Sequence, residues 1–302
     1  MNLTLGIGFS QHDNIEQAAT EAAKQAKIQA GSGRIDMALL LTTPQYDPQT
    51  ILPIIENTIP HTRIIGGTTA GIIVEGALHR YGIAIFAFHS NTVKIQTIHA
   101  HHLNLKNLIE TGSAFVKETG PLFGQKDQKF LLFFFDGLIE NMSEFNFGIQ
   151  KELGEYFPVI GAGNSDQLLF SKTVQYHDKA AASNSACGAI FGGDISLHMA
   201  RRHGWKPLGK PRLIKKAKKN IIEKIGSSPP IQLYEELFKD NLGSLKNDAF
   251  GKLNARYPLG IFVKKGQEYI IRNVLDILED GSFVCQDHVQ EGSEVHLMIG
   301  NK

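Results

Sequence analysis

Two short segments hold most of the residues with chemical potential. Gly66-Gly-Thr-Thr-Ala-Gly71 and Gly161-Ala-Gly-Asn-Ser-Asp166 each end an apolar run in small residues that carry hydroxyl, amide or carboxylate groups. Glycine lets a backbone come close to a ligand and expose its N–H groups, which can hold an anion or a carboxylate. The candidate ligand-binding residues are therefore Gly66, Gly67, Thr68 and Thr69 in one segment and Gly161, Gly163, Asn164, Ser165 and Asp166 in the other. Neither segment is a P-loop, since no Gly-Lys-Ser/Thr follows, and neither is the GxGxxG dinucleotide fingerprint. The plainer alternative is that these glycines serve tight turns and strand crossings. If both turns line one pocket, Asp166 is expected to hold an amino group while the hydroxyl and amide side chains add neutral hydrogen bonds. That combination suits an amino acid or a related small carboxylate.

Other candidates are weaker. His99-Ala-His101-His102 has the residue type for a metal site but no clear further ligand at a suitable spacing, so no metal is expected. Asp136 and Glu140 follow a Phe-rich run and offer an acid/base pair, although a strand-end Asp is commonly a cap or turn residue. Cys187 opens an apolar strand, where cysteine acts as a small hydrophobe. No GxSxG elbow or zincin motif is present, and no catalytic residue and no cofactor is assigned. Arg272 sits in Tyr269-Ile-Ile-Arg-Asn-Val274 and must find an acceptor there, as a structural ion pair or as a carboxylate-binding fork. Ten residues from Arg201 to Lys224 are Lys or Arg, with little aromatic interleaving beyond Trp205. This reads as a solvated surface rather than a nucleic-acid face.

The elements that must position these residues recur in order. Leu3 to Phe9 is strand-like, and Asp13 with Glu16 forms a capping box for a helix with Ile15, Ala18, Ala19, Ala22, Ala23 and Ala26 on one face. Met37 to Leu41 is a strand, Asp47-Pro48 starts a helix that Pro53 should kink, and a strand from Thr62 to Ile65 leads into the first Gly-rich turn. Tyr81 to Phe88 is the next strand. The order then repeats: strand Val93 to His99, helix Leu105 to Lys117, strand Phe130 to Phe135, a helix capped by Ser143, Phe157 to Ile160 into the second Gly-rich turn, and strand Ala186 to Phe191. Matched landmarks are offset by 90 (Leu3 to Val93), 93 (Met37 to Phe130) and 95 residues (Gly66 to Gly161). The expected fold is α/β, with two duplicated βαβα-ββ halves in mixed sheets over residues 1–198 and a smaller α+β region over 199–302. In that region two short strands, Leu213 to Ala217 and Asn220 to Ile225, flank a Lys-rich turn. A helix follows over Gln232 to Phe238, with strands at Tyr269 to Ile277, Gly281 to Cys285 and Val295 to Ile299.

The 302 residues carry a net charge of +1, so no global field favours nucleic acid or a membrane surface. Two separated cysteines, Cys187 and Cys285, build no disulfide framework and fit a reducing compartment. The first residues do not read as a signal peptide, and the longest apolar runs fall far short of the ~20 residues of a membrane helix. A cytoplasmic protein without membrane insertion is expected.

The same landmarks resemble the FIST family, F-box and intracellular signal transduction. The likeness runs through Leu5-Gly-Ile-Gly-Phe-Ser10, Ile65 to Gly71, Val159 to Asn164, Gly204-Trp-Lys-Pro-Leu-Gly209, Tyr269 to Arg272, Asp280-Gly-Ser282 and Val289 to Gly292. The resemblance implies a sensory module for small ligands, with amino acids or their derivatives as the suggested class, signalling to a protein partner in trans. It implies no catalytic residues. The family pattern continues beyond Gly300, so the C-terminal region reads as shortened, with a sheet edge expected open near Val295 to Ile299. Two other classes compete with a sensor: a hydrolase or transferase using Asp136, Cys187 or a turn threonine, and an interaction scaffold.

Overall fold

A computed structural model describes residues 3–31, 33–117, 127–167, 169–238, 249–263 and 268–300. The chain divides into two compact units, Met1–Ile139 with Glu144–His198, and Glu140–Ser143 with Met199–Lys302. The fold is mixed α/β, a larger N-terminal region followed by a smaller C-terminal one.

The first unit opens with β1 (Leu3–Ser10), α1 (Ile15–Ala30), β2 (Met37–Thr42), α2 (Pro48–Thr58), β3 (Arg63–Thr68), β4 (Ile72–Val74), β5 (Ala77–His79) and β6 (Ile83–Ser90). It continues with β7 (Val93–His101), α3 (Leu108–Lys117), β8 (Gln128–Asp136), α4 (Met142–Leu153), β9 (Val159–Asn164), β10 (Gln175–His177), β11 (Ala180–Ala182) and β12 (Ser185–Gly193). One sheet has the order β1-β6-β2-β3-β10-β11 and the other β7-β12-β8-β9. Within each half the last long strand lies between the first and second, and the second pairs parallel with the third. The two short hairpins differ in their pairing. The hairpin β10–β11 pairs antiparallel onto β3, whereas β4–β5 forms a two-stranded sheet of its own.

Side-chain alternation along the strands builds the layers. Ala38 and Leu40 of β2 join Ala18, Ala22 and Ala26 of α1 in one core. Met37, Leu39 and Leu41 pack instead with Phe130, Phe134 and Phe191 of the other sheet. The two sheets thus face each other. Helix α1 lies unusually close to β1, because a Cβ on Gly6 would stand 1.9 Å from Ala26 O and one on Gly8 1.8 Å from Ala22 O. At that distance Gln25 and Gln29 accept from the outward N–H groups of Phe9 and Ile7, each at 3.0 Å. The opposite edge of the same sheet is also met by a glutamine, Gln49 donating to Ala181 O at 2.9 Å.

Local signals hold with small shifts. Asp47 caps α2 ahead of Pro48, and the helix runs through Pro53 to Thr58. The cap of α1 is Asn14, not Asp13. Asn14 is extended and its side chain accepts from Gln17 N, which places the cap one residue later. Ser143 lies inside α4 rather than capping it.

The second unit carries a seven-stranded antiparallel sheet among the described residues, ordered β16-β15-β19-β13-β14-β18-β17. Its strands are β13 (Trp205–Lys218), β14 (Ile221–Ile225), β15 (Leu259–Val263), β16 (Glu268–Arg272), β17 (Val274–Ile277), β18 (Phe283–Cys285) and β19 (Glu294–Gly300), with α5 (Ile231–Leu237) and α6 (Ala249–Arg256) between β14 and β15. The expected short strand from Leu213 is the end of one long strand, β13, whose register shifts between Leu208 and Arg212. The expected strand from Tyr269 to Ile277 is broken at Asn273 into β16 and β17. The edge expected open at Val295 to Ile299 is interior, because β19 pairs with both β13 and β15. Ile214, Ile222, Tyr234, Phe283 and Leu297 form this unit's core.

Candidate functional site

The two Gly-rich segments begin as strands and leave them only after Thr68 and Asn164. Gly66, Gly67 and Thr68 belong to β3, and Gly161, Gly163 and Asn164 to β9. Their glycines answer close approach. Gly66 has φ +142°, and a Cβ there would stand 1.9 Å from Leu40 O of the paired strand. A Cβ on Gly67 would meet Asn164 Nδ2 at 2.4 Å, and one on Gly161 the Phe133 ring at 2.2 Å.

The C-terminal ends of the two parallel pairs, β2/β3 and β8/β9, are joined by hydrogen bonds. Asn164 Nδ2 and Ser165 N both donate to Thr68 O, at 3.0 and 3.1 Å. Ala70 N donates to Ser165 Oγ at 2.9 Å. Thr68 Oγ1 accepts from Val174 N at 3.1 Å, and Thr69 Oγ1 donates to Gly71 O at 3.0 Å. Thr68 and Asn164 are buried by these contacts, while Thr69 and Ser165 stay partly open and Ala70, Gly161 and Gly163 are exposed. Ends of parallel strands are where open α/β sheets place ligands.

Asp166 already has partners within its own loop. It is 3% exposed, and its carboxylate accepts from Phe170 N (3.1 Å), Ser171 N (2.7 Å) and Lys172 N (3.0 Å). Burial raises its pKa, but these backbone donors outweigh it and hold the group below the usual carboxylate range. Its lone pairs organise its own loop, so an incoming ammonium would compete with three N–H groups. Arg272 lies in the second unit, where its Nε donates to His288 O at 3.2 Å and its Nη1 to Ile271 O at 3.3 Å. The guanidinium thus satisfies backbone carbonyls.

Below the strand ends lies a buried polar chain that the sequence only partly signalled. Asp136, at the end of β8, accepts from Thr173 Oγ1 (2.6 Å), Leu138 N (3.1 Å) and Asn184 N (2.8 Å). The Gln175 amide lies 3.1 Å from Thr173 Oγ1 and 2.8 Å from Ser185 Oγ. Tyr176 OH and Thr42 Oγ1 are 2.7 Å apart. Thr173, Gln175 and Ser185 had no motif to single them out; a run of small polar residues beside apolar strands was their only trace. Glu140, the other half of the expected acid/base pair, belongs to the second unit and accepts from Asn220 Nδ2 at 3.0 Å. Cys187 is buried, its thiol donating to Gly66 O at 3.4 Å, and burial pushes its pKa up to about 12. A thiol held so is a poor nucleophile.

The histidines of β7 gather with one from β10. His99 stacks on His177 with ring centroids 4.2 Å apart and contacts His101 at 4.5 Å. No cluster of three His, Cys, Asp or Glu side chains with metal-binding geometry occurs among the described residues. Burial, with the neighbouring His99 and His101, pushes His177 down to about 4 although Asp178 acts in the opposite direction. A folded pKa below the unfolded value of 6.5 means that the unfolded chain takes up the proton first. Stability is therefore expected to fall as pH drops from 6.5 toward 4, by about 2 kcal/mol if this histidine dominates. Urea titrations of the wild type and His177→Gln at pH 7 and pH 5 test this, since the variant should lose less; equal losses would exclude His177 as the cause.

The family model described as the FIST N domain matches residues 36–227, and that of the FIST C domain matches residues 230–302. An uncharacterized protein of Methanocaldococcus jannaschii is 20% identical over 290 residues, covering 90% of this chain and 56% of that protein. An uncharacterized protein of Mycobacterium tuberculosis is 22% identical over 241 residues, covering 78% of this chain and 60% of that one. The chain thus spans less than two thirds of the length of these relatives. Among solved structures, cyanuric acid hydrolase from A. caulinodans is similar over 64% of this chain and 71% of its own, at 8% identity and a TM-score of 0.34, too slight to carry an argument. No helix among the described residues is long and apolar enough to cross a membrane.

Proposed function

This chain belongs to the FIST family, and from that premise we propose that it is a small-ligand sensor whose site lies where the ends of β3 and β9 meet. FIST domains are sensory domains of signal transduction. The observation that carries the placement is the pair of hydrogen bonds from Asn164 and Ser165 to Thr68 O, which hold the two Gly-rich segments side by side. The outward N–H groups of Gly161 and Gly163 and the hydroxyls of Thr69 and Ser165 would form the ligand-facing surface, since the N–H groups of Thr69, Ala70 and Ser165 are already taken by Thr42 O, Ser165 Oγ and Thr68 O. That donor set favours a carboxylate, so the ligand class is a small carboxylate, amino acids included. Asp166 supports this surface by fixing the loop behind it, and the signal passes to a protein partner in trans.

The test is a thermal-shift screen of the full chain against amino acids and small carboxylates. A ligand at 100 times its Kd adds about 2.7 kcal/mol, a shift of several degrees. The hit should lose at least half of its shift in the double variant Thr69→Val, Ser165→Ala. A hit that the double variant binds normally would move the site elsewhere. Turnover of a small metabolite with no binding hit would favour an enzyme instead.

A further inference from the structure

Among the described residues, side chains of the first unit hydrogen-bond the outer strands of its two larger sheets at three of their four edges. β1 is met by Gln25 and Gln29, β11 by Gln49, and β7 by Arg63, which donates to Ile95 O. The fourth edge is β9, and no strand lies on its far side among the described residues. Leu131 N donates to Pro158 O, so by ladder alternation the peptide groups of Val159, Gly161 and Gly163 point away from β8. Gly161, Ala162 and Gly163 are exposed, so side chains do not shield these groups. An exposed, unguarded edge is a template for another strand.

The molecule also indicates what kind of strand fits. On the matched strand β3, Thr68 N donates to Val174 O and Asp178 N to Ile64 O, so Ile64, Gly66 and Thr68 face outward as Val159, Gly161 and Gly163 do. That edge is covered by a hairpin with three residues in each arm, β10–β11, and Tyr176 sits opposite Gly66. The hairpin β4–β5 has arms of the same length but, among the described residues, pairs only with itself. Its cross-strand pair Ile73 and Leu78 is 75% and 63% exposed. Just past β9, the loop fixed by Asp166 holds Phe170 at φ +51° and turns Leu169 and Phe170 into solvent. An open edge, an apolar loop beside it and an unpaired apolar hairpin are complementary surfaces on one chain.

We infer that β9 receives the β4–β5 hairpin of a second copy of this chain, added antiparallel with Ile73 near Gly161 and the hairpin's apolar pair against Leu169 and Phe170. The contact joins two different patches, so it closes as a reciprocal pair or extends as a string of copies. Either arrangement replaces exposed backbone with ladder hydrogen bonds and removes the apolar hairpin from water. It shares the Gly161 and Gly163 N–H groups with the proposed ligand surface but does not rest on that reading, because its test is self-association of the chain without added ligand.

Sedimentation velocity of the full chain over a range of micromolar concentrations tests the inference. The wild type should self-associate. The double variant Ile73→Asp, Leu78→Asp should sediment as a monomer, and so should the edge variant Ala162→Lys. All three substituted side chains are exposed or at the open edge, so circular dichroism should be unchanged. Two results would overturn the proposal: a wild type that is monomeric throughout, or an assembly that both variants leave intact.

Discussion

Gly66→Ala is expected to destabilise the first unit by about 3–5 kcal/mol, combining backbone strain with overpacking. The new Cβ would stand 1.9 Å from Leu40 O and 2.8 Å from Leu40 C, and both neighbours are main-chain atoms of a paired strand. No side-chain rotation relieves such a contact, so β2 and β3 must part or shift. The φ of +142° is a second obstacle, independent of space, because a side chain rarely adopts it. The damage extends further, since Tyr176 of the covering hairpin is registered on this residue. Gly33→Ala is the control: nothing lies within 4 Å of its Cβ position and its φ is ordinary. Urea unfolding followed by circular dichroism should give a much lower midpoint for the first variant and a nearly unchanged one for the second. A loss under about 1 kcal/mol for Gly66→Ala would mean that the sheet yields more easily than packed backbone does.

Asp136→Ala should cost about 3 kcal/mol, the scale of stranding several buried donors at once. Removing the carboxylate leaves Thr173 Oγ1, Leu138 N and Asn184 N without their acceptor, in a region where Thr173 and Gln175 are almost fully buried. The loss should spread along the chain of contacts to Ser185, because the Gln175 amide is held between Thr173 and Ser185. Asp136→Asn keeps one acceptor oxygen and the shape, so it should cost less but not nothing, as its amide would face a donor. If Asp136 instead served catalysis, Asp136→Asn would abolish an activity while leaving stability close to wild type. Parallel urea titrations of both variants separate the two readings.

Much of the architecture could be read from residue patterns, for identifiable reasons. The apolar runs of β2 and β8 are buried on both faces, which makes them conspicuous. The Asp47-Pro48 pair is a cap and a first-turn residue in one signal. Gly66 and Gly161 both face outward from their parallel partners, a parity that ladder alternation sets and sequence spacing alone does not. Other features lacked a local cause. A glycine needed for close backbone contact looks the same in sequence as a turn glycine, so the ends of β3 and β9 read as loops. Asp13 and Asn14 are both capping residues, and only backbone geometry selects Asn14. The donors that Asp166 meets within the chain, the N–H groups of residues 170 to 172, carry no sequence signature. The crossing of β10 onto β3 involves three residues brought together over more than a hundred positions, far beyond any periodic signal.

The position of the final long strand in each half has a consequence for the order of events during synthesis. β6 lies between β1 and β2, and β12 between β7 and β8, yet each is made after both of its neighbours. Neither neighbour can complete its ladder until the keystone strand leaves the ribosome, so β1 must wait some seventy residues for a partner. During that interval the glutamines of α1 lie close by in sequence and can already engage β1. The helix that guards the edge of the finished sheet is thus also the earliest available chaperone for that strand.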